Sequence, residues 1–127
     1  MLSNLEYHGT IPAKDLERAK KFYSEKLNFH AEMEVPGGVV YRCKNSWFLL
    51  FPTQFSGTAQ HTLGGWSTDD IEKEVKALKA NGVVFEEYDM PGLKTENSIA
   101  KMGENKAAWF KDSEGNILGL IQMTERV

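Results

Sequence analysis

"WFKDSEGNILGLIQ", Trp109 to Gln122, reads as a strand, a tight turn and a second strand. In the turn Asp112-Ser113-Glu114-Gly115-Asn116, Gly115 supplies the positive φ of a type I turn closed by a bulge. The strands it joins are therefore antiparallel neighbours. The outgoing strand, Ile117 to Met123, places a glycine, Gly119, among apolar neighbours. A glycine inside a strand weakens it and needs a reason. It is either a packing concession or the place where a functional side chain would otherwise stand.

Working outward, two helices are legible. One starts at Asp15 as N-cap and sets Leu16, Ala19, Phe22, Tyr23 and Leu27 on one stripe, with Asn28 able to stop it in the left-handed conformation. The other starts near Asp69 or Asp70, runs its stripe through Ile71, Val75 and Leu78, and ends at Asn81-Gly82. Their charged outer faces are accounted for by solvation. The segments Ile11–Glu17 and Trp66–Glu72 share a strand end, a polar turn and an Asp-aliphatic-Glu helix start, and Asp15 and Asp70 lie 55 residues apart.

Three strands are expected after each helix: Phe29–Val35, Gly38–Lys44 and Trp47–Pro52, then Val83–Tyr88, Lys106–Lys111 and Ile117–Met123. The chain thus reads as one domain of two tandem βαβββ modules, residues 4–53 and 61–123, joined by a linker at 54–60. The expected class is α+β: a curved mixed sheet forming a cup, with helices outside and a ligand in the concavity.

Bulk properties narrow the function. In 127 residues, a net charge of −3 with interspersed signs supplies no basic stripe for nucleic acid or an anionic membrane. No segment has the length and apolarity of a signal peptide core or a membrane span. The single cysteine, Cys43, sits in an alternating apolar run as a small hydrophobe, excludes an internal disulfide and fits a cytoplasmic location.

Two motifs then carry a resemblance over nearly the whole chain. "HGTIPAKDLERAKKFYSEKLNF" at the N-terminal end and "AWFKDSEGNILGLIQ" at the C-terminal end resemble the vicinal oxygen chelate superfamily of glyoxalases, bleomycin-resistance proteins and extradiol dioxygenases. The resemblance implies the two-module fold, a homodimer with modules packed edge to edge, and, in the metal enzymes, a divalent ion held by His, Gln or Glu on the first and last strands of each module. Carried over by position, those sites fall on His8, Leu49, Leu63 (or Thr62 if the strand slips by one residue) and Gly119. Only His8 is of a ligand type, so a complete metal site is not expected and no cofactor is expected, a divalent metal being the alternative. His61, two residues before Leu63, substitutes only with a displaced register, and His30 has no assigned role.

His8 is then a remnant ligand or general base, or else a strand-end histidine satisfied by backbone or water. Tyr41, Trp47, Trp66 and Trp109, with Leu49, Leu63, Met90, Leu93 and Gly119, are the candidate lining for a small apolar or aromatic ligand. Arg42 alternates with Tyr41 and Cys43, so one of the two sets faces out. The span from Asp89 to Asn105 is long for a loop and is expected to cover the cup mouth, with Glu96 and Glu104 as spare carboxylates. Three functions stay open: a metal-free small-molecule binder, an enzyme (a metal-dependent lyase or dioxygenase using His8 with other ligands, or one using it as acid/base), and a module whose cup is vestigial.

Overall fold

Asp15 and Asp70 start the two helices in the same way: each side chain accepts the amide three residues on, from Arg18 at 3.0 Å and Lys73 at 3.1 Å. Helix α1 spans Leu16–Glu25 and α2 spans Ile71–Ala80. Asn28 (φ 61°) and Gly82 (φ 93°) turn the chain out of them in the left-handed region. The computed structural model describes residues 1–124. A short 3₁₀ turn at Leu2–Asn4 precedes ten strands and the two helices. They form two units: Met1–Thr58 with Ser113–Asn116, and Ala59–Asp112 with the chain from Ile117.

The first unit is a four-stranded sheet in the order β1-β4-β3-β2, from β1 (Gly9–Ala13), β2 (Ala31–Val35), β3 (Gly38–Cys43) and β4 (Ser46–Pro52). Strand β1 runs parallel to β4, and the other pairs are antiparallel. Pro12, which has no amide to donate, is tolerated because β1 is an edge strand. Helix α1 covers one face through Ala19 and the fully buried Tyr23, whose ring centroid lies 5.8 Å from those of both Tyr41 and Phe48. Each such buried aromatic contributes roughly 1.5–3 kcal/mol by area. Strand β2 starts at Ala31 instead of the expected Phe29, because Phe29 is drawn into this cluster, 5.5 Å from Phe48, with its amide on the Tyr23 carbonyl.

The turn Ser113–Asn116 belongs with the first unit, although the strands that it joins belong with the second. Gly115 has the expected positive φ, 82°. The Glu114 carboxylate, with its side chain shut off from solvent, accepts the Asp15 amide at 2.8 Å, Arg18 Nε at 2.8 Å and Nη2 at 3.0 Å, and the Ser113 hydroxyl at 2.8 Å. Burial pushes this carboxyl up, but the bonds from Arg18, the Asp15 amide and Ser113 overcome that and bring it down to about 2. Buried Asn116 donates to the Pro12 carbonyl at 2.7 Å and accepts the Gly57 amide at 3.3 Å. The turn is thus a clasp on the end of β1 and the start of α1.

The second unit has the order β5-β10-β9-β8-β7-β6. Its strands are β5 (Thr62–Ser67), β6 (Asp89–Met90), β7 (Leu93–Glu96), β8 (Ile99–Met102), β9 (Asn105–Lys111) and β10 (Ile117–Gln122). Strand β5 is parallel to β10, as β1 is to β4, so each unit pairs its first strand in parallel with its last. Helix α2 lies on the face of Phe110, Leu118 and Leu120, and Gln122 accepts the Ile71 amide at its start at 2.8 Å. Two expectations fail here. The strand over Val83–Tyr88 shrinks to one bridge, Phe85 to Phe110, because β8 takes the rest of that edge of β9. The loop expected from Asp89 to Asn105 is instead the β6-β7-β8 meander.

Glu114→Gln is expected to lower the unfolding free energy at pH 7 by about 1–3 kcal/mol, read by urea denaturation. The Glu114 carboxyl lies below its ordinary 4.5 when folded, so its contribution is complete above that value and fades as pH falls toward 2. The gap between wild type and variant should narrow over that window. Equal stability at pH 7, or a gap unchanged into acid, contradicts the clasp.

Candidate functional site

In the first unit, alternation along β3 and β4 separates two sets of residues. Val39, Tyr41, Phe48 and Leu50 are buried on the α1 side. Val40, Arg42, Trp47 and Leu49 share the opposite, open face, where Arg42 pairs across the ladder with Trp47 and Val40 with Leu49. Arg42 reaches Glu32 at 3.3 Å on the neighbouring edge strand. His8, just before β1, lies flat on Trp47, with centroids 3.8 Å apart and planes 14° from parallel. The imidazole is exposed, and Trp47 has no other ring contact among the described residues.

This corrects the expected lining at Tyr41, which is 2% exposed and packed under α1. Burial raises its phenol above the ordinary 10. The Arg42 question is also answered: the arginine set faces out and the Tyr41 set faces in. Leu49 is half-buried beside Thr10 on the open face.

In the second unit the same parity sets Trp66 against Phe110 on the helix side, with ring planes 7° from parallel, so Trp66 is also removed from the open face. Trp109 and Gly119 are on the open side, directly paired across β9 and β10. A Cβ on Gly119 would lie 3.4 Å from Trp109 Cδ1 and 3.6 Å from Nε1. The indole therefore packs beside the glycine, at ordinary contact distance from where a Cβ would stand. Tyr88 meets this indole edge-on at 5.6 Å. On the other side of Gly119 is Gly65, where a Cβ would fall 2.4 Å from the Gly119 carbonyl oxygen. Gly119 thus lies between an aromatic ring and a second glycine, and it is Gly65 whose missing Cβ the close strand approach requires.

Leu63 falls at the bulge where β5 slips against Ile117 and Leu118, and it is partly exposed. Met90 and Leu93 lie in the meander and line a depression on the α2 side of the sheet together with Glu72 and Lys106, away from Trp109 and Gly119. Glu96 lines that depression as well, while Glu104 is exposed in the β8–β9 turn. His61 is exposed, its Nδ1 3.0 Å from the Thr62 carbonyl oxygen. His30 is exposed after α1.

The residues at the four metal-ligand positions do not fit a divalent ion. In the first unit His8 is stacked on Trp47 beside the alkyl side chain of Leu49; in the second, neither Leu63 nor Gly119 brings a donor. No group of three or more His, Cys, Asp or Glu residues among the described residues could hold a metal ion. Nor is any described helix long and apolar enough to cross a membrane. Sequence reasoning missed the indole beside Gly119. Its signal was present, since a tryptophan directly opposite a strand glycine is a recurrent cross-strand pairing.

Residues 7–120 match the model of the Glyoxalase/Bleomycin resistance protein/Dioxygenase superfamily, and the chain belongs to that superfamily. It is 28% identical to the uncharacterized protein YurT of Bacillus subtilis (strain 168), over 89% of this chain and 94% of that one. A glyoxalase/bleomycin resistance protein/dioxygenase from Alicyclobacillus acidocaldarius has a similar structure, with a TM-score of 0.73, 17% identity, and 96% and 93% of the two chains covered. So does TnmS3, an antibiotic-binding protein from Streptomyces sp. CB03234, with a TM-score of 0.64, 22% identity, and 94% and 98% covered.

Proposed function

We propose that this chain binds a small planar aromatic or apolar molecule, without a metal ion, on the open face of its first unit. The observation that carries the reading is the His8–Trp47 stack, exposed on a face otherwise made of Val40, Leu49 and the Arg42 side chain. Two flat rings held together by neighbouring parallel strands form a ready surface for a third ring, at little ordering cost. The donor set supports metal-free binding, because imidazole alone does not compete for a divalent ion. Antibiotic binding by the structural relative TnmS3 accords with a binding role on this fold, although fold alone does not fix function. In the second unit, Trp109 with Tyr88 offers a comparable aromatic surface.

A cytoplasmic location and a homodimer complete the proposal. Dimerisation is supported by the superfamily resemblance and by β2, an edge strand whose Ala31, Glu32, Met33 and Glu34 are all exposed. Light scattering at micromolar concentration is expected to give twice the chain mass, and a monomer contradicts the dimer. For the ligand face, 2-naphthol is the probe. Titration followed by tryptophan fluorescence is expected to saturate, with affinity falling about fivefold or more in Trp47→Ala and largely kept in Trp47→Phe. Equal affinity in Trp47→Ala, or no saturable binding to wild type, overturns the reading.

A further inference from the structure

The segment read as a loop from Asp89 to Asn105 builds a cavity of its own. Strands β6, β7 and β8, with α2 and β9, border an open depression of about 650 Å³ within the second unit, a volume inside the range of small-molecule sites. Its apolar lining is Met90, Leu93 and Ile99. Its charged lining is Lys94, Lys101 and Lys106 against Glu72 and Glu96.

The charges do not cancel. Lys106 holds Glu72 at 2.6 Å, and this bond keeps the Glu72 carboxyl below its ordinary range. Lys94 and Lys101 make no ion pair among the described residues; Asp89 stands opposite Lys94 across the β6–β7 ladder, and within the lining Glu96 is the carboxylate not held by Lys106. The lining itself carries one positive charge in excess beside its apolar residues.

The frame of the cavity is preorganised. The β7–β8 turn is Asn97-Ser98, both at positive φ (52° and 73°), the geometry of a two-residue type I′ hairpin usually given to Asn-Gly. Ser98 holds this conformation because Glu87 accepts both its hydroxyl and its amide, and also accepts the Thr95 hydroxyl at 2.8 Å. These bonds lower the Glu87 carboxyl from its ordinary value, the Ser98 hydroxyl contributing most. Thr95 in turn accepts the Tyr88 amide at 2.8 Å. Lys94, Glu96 and Ile99 therefore project from a pinned hairpin rather than from a mobile loop.

We propose that this cavity is a binding site for a small organic monoanion, a carboxylate or sulfonate with an apolar body. The anionic head sits between Lys94 and Lys101, and the body lies on Met90, Leu93 and Ile99. It is separate from the aromatic face of the first unit and does not depend on the function proposed for that face.

Octanoate is the probe, titrated into the full chain by calorimetry at low salt. Saturable binding is expected, about tenfold weaker in the Lys94→Gln/Lys101→Gln double variant, weakened by added salt, and unchanged in Trp47→Ala. Both lysines are exposed, so the double variant should keep the wild-type melting temperature. Neutral 1-octanol should bind more weakly than octanoate. The proposal is overturned if octanoate fails to bind wild type at millimolar concentration, if the double variant binds as tightly, or if 1-octanol matches octanoate.

Discussion

A single buried carboxylate organises the first unit. Glu114 accepts the amide of the α1 N-cap residue, both guanidinium donors of Arg18 and the neighbouring Ser113 hydroxyl. A buried carboxylate is costly unless its lone pairs are answered, and here they are. Asn116, two residues on, bonds the Pro12 carbonyl on β1. Strand β1 is an edge strand held by one neighbour, β4, and it carries His8 at its entrance. The parallel register of β1 on β4 brings His8 over Trp47. The clasp, the strand and the aromatic stack are thus one chain of dependence.

Parity along the strands then decides what each face can do. Tyr41 and Trp66 look like binding residues by type, yet both sit on helix-covered faces, where their area supports folding. Their neighbours on the opposite parity, Arg42 and Gly65, are on the open faces. Glycine has two roles in the second unit. Gly65 allows β5 to approach β10 closely, and Gly119 packs beside the Trp109 indole. A Cβ at 119 would meet that ring at ordinary contact distance, whereas one at 65 would collide with the Gly119 carbonyl.

Much of this was legible in the sequence, where local chemistry is strong. The two Asp caps, the left-handed stops at Asn28 and Gly82, the Gly115 turn and the 55-residue repeat all rest on short-range preferences, and all are present. The face of each aromatic was not legible, because a strand's parity depends on which side its helix covers, and that is a tertiary fact. The 89–105 meander was hidden by its short strands and by turns at Asn97-Ser98 that lack the usual glycine. Its stability comes from Glu87, which lies before the segment and gives no local signal. The Glu114 clasp was hidden for the same reason, since its partners are 96 and 99 residues away in the chain.

The proposed binding surface is the open face bearing Trp47, while the helix side bearing Trp66 is core. Indole N–H resonances of Trp47, Trp66 and Trp109, assigned by single substitution, test it in one titration with 2-naphthol. The Trp47 signal is expected to shift progressively and saturate while Trp66 stays in place. A shift at Trp66, or a Trp47 signal unmoved at saturating probe, would contradict it.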